Sequence, residues 1–313
     1  MNIIDVTLRD GGHAVNFDWD LATAKEYYNL ISDIDQVSYV ELGYWKQTAK
    51  TTNYFYNLDQ EKVEKITGKN PIKKASVMID YHYCSKNYED YPTNKQDAIG
   101  IIRVCCRKND IDEALPFIQG LKKHTGLKVS VNIFNISNYE QQELLSVCQK
   151  VMPCGVEYVY FADTHGSLDL TKESEMFVQA VNLLSSANIK VGMHLHNHSG
   201  KAFLNYNLLS SIGFSGFDAS TRGMGKGVGN LRLEEVISKD KLAKLMAFVL
   251  KEEKVFTMRE SPYGMITSKY SISDYYAYNA EKMGMEMQEF DTFCSKVSGI
   301  DKDVYNSELW DLK

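Results

Sequence analysis

The sequence predicts a (β/α)8 TIM barrel over residues 1–238, followed by a C-terminal helical extension over residues 239–313. Eight short, apolar, β-branched segments recur through the first 220 residues, and amphipathic segments separate most of them. Apolar strands that alternate with helices are typical of a parallel sheet covered on both faces. A doubly wound open sheet would give the same alternation, so it stays open as the structural alternative.

The predicted strands and helices follow one another in order. The strands are 3–8, 37–42, 73–79, 99–105, 128–134, 156–161, 190–195 and 215–220. The helices are 19–33, 59–68, 110–124, 139–151, 172–187 and 201–212. Asp18 and Asn138 are expected to cap the first and fourth helices, because short polar side chains satisfy the free N–H groups at a helix start. Eight such units fit the roughly 250 residues of a (β/α)8 barrel.

The C-terminal segment, residues 240–313, looks mainly helical. Aromatic residues are interleaved along it: Tyr270, Tyr275, Tyr276, Tyr278, Phe290 and Phe293. No linker-like composition precedes it, so we expect it to pack on the barrel rather than to form a separate domain.

Composition excludes some classes of protein. The 35 Lys and Arg against 41 Asp and Glu give a net charge of −6, so a nucleic-acid surface, which needs a basic excess, is not expected. No apolar run approaches the ~18 residues that span a bilayer, and the N-terminus enters a strand rather than a signal peptide. The six cysteines form no Cys-x-x-Cys pair, which favours a reduced, cytoplasmic compartment. The sequence leaves the oligomeric state open, a homo-oligomer included.

A metal site is predicted where the first and seventh strands end. Active sites of TIM barrels form at the carboxyl ends of the strands. Because side chains alternate along a strand, His194 and His196 point the same way, and Asp10 adds a carboxylate. Three protein ligands leave positions for water or substrate. Such mixed ligation suits Mn²⁺, Mg²⁺, Co²⁺ or Zn²⁺, with Mn²⁺ preferred. A cluster of half-buried polar strand residues is the alternative without function.

Two further clusters lie at predicted strand ends. Glu41 stands in an apolar strand, where a carboxylate is costly unless paired, and Arg9 on the neighbouring strand is its expected partner. Residues 222–230 contain four glycines at alternate positions, so this loop can approach a ligand closely. Arg222 and Lys226 in this loop could favour an anion. Arg103, Arg107 and Lys226 could meet a phosphate or a second carboxylate. A plain flexible turn explains the glycines equally well.

Together these motifs resemble the DRE-TIM metallolyases, the HMGL-like family. The resemblance rests on Arg9-Asp10, Glu41, the His194-x-His196 pair and the glycine-rich loop ending in Asn230, and it spans residues 3–236. The family includes hydroxymethylglutaryl-CoA lyase, isopropylmalate and homocitrate synthases, and 4-hydroxy-2-oxovalerate aldolase.

Within this family, residues 7–14 are most similar to 4-hydroxy-2-oxovalerate aldolase. That resemblance implies a metal-dependent, class II type aldolase that joins or splits a pyruvate-type 2-oxo acid and an aldehyde. It implies that His13 is the catalytic base, that Tyr270 assists proton transfer, that Arg9 held by Glu41 stabilises the enolate, and that Asn230 is a further metal ligand.

The segment 43–46 departs from that aldolase and is more similar to aldolase-type proteins of cell-surface glycan gene clusters. Its Tyr44 and Trp45 could stack on a sugar-like part of the substrate. The chain is also shorter at its C-terminus than the classical aldolase, whose end helps bind an acetaldehyde dehydrogenase, so a dehydrogenase partner stays open.

Three other functions compete with an aldolase. A Claisen-type enzyme would condense an acyl-CoA with a 2-oxo acid on the same metal, but His13 in the position of an aldolase base speaks against it. A metal-dependent hydrolase often uses two metals, and the sequence has no second ligand cluster. A non-catalytic barrel would leave the coincidence of these polar residues unexplained.

Overall fold

The computed structural model describes residues 1–46, 53–95, 98–258 and 261–311. Eight parallel strands close into a barrel in sequential order. They are β1 Asn2–Asp5, β2 Val37–Tyr44, β3 Ala75–Asp80, β4 Ile99–Cys106, β5 Lys128–Ile133, β6 Tyr158–Asp163, β7 Lys190–Leu195 and β8 Gly216–Ala219. The predicted (β/α)8 barrel is confirmed, and the open-sheet alternative is wrong. The first strand is shorter than predicted because the chain turns after it, where the Asp10 N–H donates to the Val6 carbonyl at 2.7 Å.

Helices surround the barrel and continue beyond it. They are α1 Leu21–Ser32, α2 Gln60–Thr67, α3 Ile111–Thr125, α4 Gln141–Val151, α5 Leu170–Ser186, α6 Ala202–Ser211, α7 Leu233–Val236, α8 Lys239–Lys251, α9 Pro262–Lys269, α10 Tyr275–Met283 and α11 Met287–Cys294. The helical prediction for the C-terminal segment is confirmed. None of the helices in the described part of the chain is long and apolar enough to cross a membrane.

The two predicted helix caps are wrong. Asp20, not Asp18, caps α1, and its Oδ2 accepts the Thr23 N–H at 2.9 Å. At α4 the first turn is closed by the Glu143 carboxylate, which accepts the Glu140 N–H at 2.9 Å. Asn138 instead donates to Asp303 at 2.7 Å, so it ties the barrel to the C-terminal segment.

The largest apolar core lies between the barrel and its helices, as the continuous apolar strands require. A second cluster is built by α9 to α11. A third, small cluster fills the inside of the barrel with Ile4, Val6, Ile101, Tyr158 and Tyr160. Towards the carboxyl ends of the strands this interior becomes charged, which positions the site described next. The six cysteines are buried and unpaired, as predicted.

Candidate metal centre

Three predicted ligands meet at the carboxyl ends of β1 and β7. Asp10, His194 and His196 are buried, and one ligand atom from each lies within 4.8 Å of the others. The Nε2 atoms of the two histidines are 3.2 Å apart, and His194 Nε2 is 3.8 Å from Asp10 Oδ2. Two imidazole nitrogens and a carboxylate oxygen therefore converge on one point.

The electrostatics of these groups match those of metal ligands. Burial, with His194 alongside, lowers the pKa of His196 well below its ordinary value. Burial alone would raise the pKa of Asp10, but Arg9 and the two histidines together lower it below its usual range. The carboxylate is thus ionised and the imidazole neutral, which are the states that metal ligation requires.

Asn230 completes this donor set from the glycine-rich loop. Its side-chain N–H donates to Asp10 Oδ2 at 2.7 Å and to the Met224 carbonyl at 3.0 Å. Its Oδ1 is buried and lacks a hydrogen-bond partner among the described residues. An amide oxygen left unpaired beside two imidazoles and a carboxylate fits a divalent cation, since oxygen and imidazole ligands suit such ions.

The predicted pair of Arg9 and Glu41 is present, and it continues into a larger network. Arg9 Nε lies 2.6 Å from Glu41 Oε1, and its Nη1 lies 2.5 Å from Asp10 Oδ1. Glu41 is also bound by Arg103, which in turn reaches Asp218. Arg9 therefore stands beside the ligand triad in a fixed orientation.

His13 lies at the edge of the same site. It is half-buried in a 3₁₀ turn at Gly11–Val15, with its ring centroid 4.9 Å from that of Phe17 and 6.4 Å from that of Tyr44. Burial lowers the pKa of His13 to about 4, although Asp10 opposes the effect. The imidazole is thus neutral near pH 7 and able to accept a proton. The turn needs Gly12, because a Cβ there would lie 2.4 Å from the Phe17 ring.

Among the described residues, Tyr270 makes no hydrogen bond or ring contact with the ligand triad. It packs against the C-terminal cluster, and its ring centroid lies 4.7 Å from Lys269 Nζ. The C-terminal residues that reach the glycine-rich loop are Asp274, whose Oδ1 is 2.6 Å from Lys226 Nζ, and Tyr275, whose ring centroid is 4.4 Å from the same atom. The segment is rich in tyrosine, and its sequence carries no local signal that distinguishes Tyr270 from the other tyrosines.

Two expectations about substrate contacts are wrong. Trp45 is 2% exposed and its indole N–H donates to the Asp90 carbonyl, so it is not available to stack on a sugar. Arg103 is fully buried between two carboxylates, so it is not a phosphate-binding residue. The other two cations predicted for that role are also paired, Lys226 with Asp274 and Arg107 with Asp80.

Arg103 was predicted only as a substrate-binding residue, and Asp218 was not predicted as a site residue at all. Both are charged residues within predicted apolar strands, 99–105 and 215–220. The argument that a charge in such a strand is costly unless paired was applied to Glu41 alone. Applied to all eight strands, it would have identified both residues.

The comparison with known families agrees with this geometry. The HMGL-like family model matches residues 103–256, which include His194, His196 and Asn230. The predicted resemblance to the DRE-TIM metallolyases is confirmed, and the chain is an enzyme of the carbon–carbon lyase class.

Curated relatives of this chain are distant in sequence. An oxaloacetate decarboxylase of Mycobacterium tuberculosis is 24% identical, over 75% of this chain and 68% of its own length. A 4-hydroxy-2-oxovalerate aldolase of Moorella thermoacetica is 25% identical, over 76% of this chain and 69% of its own. An (R)-citramalate synthase of Sulfolobus acidocaldarius is 23% identical, over 76% of this chain but only 47% of its own.

Solved structures share the fold of this chain. The N-terminal domain of a proposed aldolase from Bacteroides vulgatus superposes with a TM-score of 0.75 at 18% identity, covering 92% of this chain and 98% of that domain. The HMG-CoA lyase of Brucella melitensis gives a TM-score of 0.62 at 18% identity, covering 81% and 98%. At such identities the likeness concerns the barrel.

Proposed function

We propose that this enzyme is a divalent-metal-dependent aldolase that acts on 4-hydroxy-2-oxo acids. It would split or form the bond between the enolate of a pyruvate-type 2-oxo acid and an aldehyde. The observation that carries this proposal is the buried convergence of Asp10, His194 and His196 beside a fixed arginine and a neutral histidine. An enolate-forming site needs positive charge at the keto oxygen and a base near the 4-hydroxyl, and this arrangement offers both.

The ion held by these ligands, for which Mn²⁺ is our first choice, would supply Lewis-acid stabilisation of the keto oxygen. Arg9 binds the same oxygen as it gains negative charge, and its ion pairs with Glu41 and Asp10 hold the guanidinium in place. His13 accepts the proton of the 4-hydroxyl during cleavage and returns it to the aldehyde oxygen during condensation. Phe17 and Tyr44 beside His13 limit the access of water to this base.

The relatives support an enolate of a 2-oxo acid as the shared intermediate. Loss of carbon dioxide from oxaloacetate leaves the enolate of pyruvate, and cleavage of 4-hydroxy-2-oxovalerate leaves the same enolate. Oxaloacetate is therefore a second substrate to test. A decarboxylase does not need His13 as a base, so the effect of removing His13 separates the two reactions.

The citramalate synthase relative favours a Claisen condensation as the alternative within this family. Release of free thiol from acetyl-CoA in the presence of 2-oxo acids would support that alternative. A two-metal hydrolase is less well supported, because one group of three potential ligands is found in the described part of the chain. One bound metal ion per chain would argue against the hydrolase.

The test is metal analysis followed by a screen for pyruvate release from 4-hydroxy-2-oxo acids, sugar-derived ones included. We expect about one divalent ion per chain and metal-dependent release of pyruvate from at least one substrate. His194→Ala, made in parallel, should lose both. Full activity after complete removal of metal would overturn the proposal, as would stoichiometric metal with thiol release as the only reaction.

A further inference from the structure

We propose that Arg103 is a positioning residue that orients two metal ligands, Asp10 and His194, at the same time. This inference rests on the proposed metal centre. Arg103 lies on β4, is 0% exposed, and reaches two carboxylates with its two terminal nitrogens. Its Nη1 is 3.1 Å from Glu41 Oε2, and its Nη2 is 2.7 Å from Asp218 Oδ2. The fork of one guanidinium therefore joins β2 to β8 across the inside of the barrel.

Each branch from Arg103 ends on a different ligand. The first branch passes through Glu41 to Arg9, with 2.6 Å between Glu41 Oε1 and Arg9 Nε. Arg9 then contacts Asp10 Oδ1 at 2.5 Å. This branch fixes one carboxylate oxygen of Asp10 and leaves the other, Oδ2, facing His194 and Asn230.

The second branch orients an imidazole. Asp218 Oδ2 is 2.9 Å from His194 Nδ1, and the two residues are in register on neighbouring strands. A carboxylate that accepts the Nδ1 proton leaves the Nε2 lone pair of the histidine directed at the metal position. Since Arg103 and His194 share the same oxygen of Asp218, the position of Arg103 determines where this oxygen can lie.

The charges of this network favour a dication. Two guanidinium groups, Arg9 and Arg103, face three buried carboxylates, Asp10, Glu41 and Asp218. One negative charge is left over in an interior with little solvent. Because an excess charge is costly at low dielectric, a bound cation would be attracted strongly. Arg103 keeps this excess at one charge rather than two.

The inside of the barrel provides a specific packing site for the Arg103 guanidinium. The guanidinium carbon lies 4.4 Å from the centroid of the Tyr160 ring, a cation–π distance. Tyr160, Gly192 and Gly216 are in register on three adjacent strands. A Cβ at Gly192 or at Gly216 would lie 2.4 Å from the nearest Tyr160 atom. The two glycines therefore leave space for the Tyr160 ring, against which the Arg103 guanidinium packs. This packing is a second observation, independent of the ion pairs, that the orientation of Arg103 is fixed.

The test is the affinity for Mn²⁺ of the purified full chain, measured by titration with detection of free Mn²⁺ by electron paramagnetic resonance. Arg103→Lys keeps the positive charge but cannot bind Glu41 and Asp218 at the same time. Asp218→Asn removes only the carboxylate that orients His194. We expect each to weaken Mn²⁺ binding about 10- to 100-fold, the usual range for residues that hold metal ligands. Gly192→Ala keeps Arg103 but displaces the Tyr160 ring on which its guanidinium packs, so this variant should also bind Mn²⁺ more weakly than the wild type.

Arg107→Lys is the matched control. Arg107 also makes a two-pronged pair, with Asp80 at 3.0 Å for each bond, but its network does not reach the ligands. It should bind Mn²⁺ within about twofold of the wild type. Thermal unfolding of each metal-free variant separates folding from ligand orientation. If Arg103→Lys folds and binds Mn²⁺ as tightly as the wild type, the inference is wrong, whatever the affinity of Asp218→Asn.

Mn²⁺ binding and aldolase activity, measured separately, distinguish a failure of this inference from a failure of the proposed function. Tight Mn²⁺ binding that depends on Arg103, without any aldolase activity, would reject the aldolase and support the positioning role. If Arg103→Lys does not fold, Asp218→Asn and Gly192→Ala decide. A wild type that binds no divalent ion would overturn both the metal centre and the role of Arg103.

Discussion

Two buried carboxyl groups, Asp5 and Asp10, lie five residues apart at the end of β1 and behave in opposite ways. Asp10 points into the mouth of the barrel, where Arg9 and two histidines lower its pKa against the effect of burial. Asp5 points outwards to α1, where it meets hydroxyl groups: Thr7 Oγ1 and Tyr27 Oη both lie 2.8 Å from its Oδ2. Burial raises the pKa of Asp5 to about 7.

The difference shows what turns a buried carboxyl group into a ligand. Neither group is held by its own strand alone, since Asp10 faces His194 on β7 and Asp5 binds Tyr27 on α1. The guanidinium of Arg9, the residue next to Asp10 in the chain, keeps Asp10 ionised and available to a metal. Hydroxyl donors alone leave Asp5 easily protonated. The Tyr27 hydroxyl lies 2.7 Å from Thr221 Oγ1 as well, so it connects the end of β1 to the residues that follow β8.

The largest expected effect comes from exchanging the two carboxyl groups for amides in turn. Asp10→Asn should abolish metal binding and turnover, because it removes the charged ligand of the triad. Asp5→Asn, the matched control, should keep its metal and most of its activity. Metal content by mass spectrometry and pyruvate release measure both. Retention of metal and activity by Asp10→Asn would remove Asp10 from the site.

The next effect concerns the base beside Asp10. His13→Ala should retain metal but slow aldol cleavage by roughly 10²- to 10⁴-fold, the range for loss of a general base. Steady-state rates with the substrate found in the screen, together with metal content, test this prediction. Unchanged cleavage in this variant would mean that another group takes the proton.

The pH dependence of the free energy of unfolding tests the protonation of Asp5. The folded pKa of Asp5, about 7, lies above the ordinary 3.8, so the stability gained from its protonated form is complete below pH 4 and is lost as the pH rises to 7. This loss amounts to about 4 kcal/mol, since each pKa unit is worth about 1.4 kcal/mol. Urea unfolding of metal-free protein should show a loss that is larger by this amount in the wild type than in Asp5→Asn, because Asp163, whose pKa burial also raises to about 7, contributes equally to both. Parallel pH profiles of the two proteins would contradict it.

A smaller effect is expected from the hydroxyl that joins Asp5 to its surroundings. Tyr27→Phe removes hydrogen bonds to Asp5, Thr7 and Thr221 and should lower the free energy of unfolding by about 1 to 3 kcal/mol. The Mn²⁺ affinity should not change, because this network does not contact the ligand triad. Tyr39→Phe, at a partly exposed tyrosine paired with Lys128, is the control and should cost less than about 0.5 kcal/mol.

The sequence could predict what depends on strand periodicity and strand ends. The barrel, the meeting of Asp10 with His194 and His196, and the pair of Arg9 with Glu41 all follow from alternation along strands and from the common edge of a parallel sheet. These features involve neighbouring strands or the shared rim, so local pattern was sufficient.

Features set by distant packing could not be predicted. The contact of Arg103 with Asp218 joins β4 to β8 across a closed barrel, and no local pattern shows which strands face each other. The choice between Tyr270 and Tyr275 depended on how α9 and α10 sit on the barrel loops. The cap at Asp20 rather than Asp18 depended on where α1 begins to pack.

The most direct test of the central claim is the exchange of the methyl protons of pyruvate for deuterium in D₂O, followed by proton NMR. The wild type with Mn²⁺ should exchange these protons, because the metal centre stabilises the enolate. Exchange should stop when the metal is removed by chelation and should be absent in Asp10→Asn. Equal exchange with and without metal, or no exchange by protein carrying one Mn²⁺ per chain, would contradict the account.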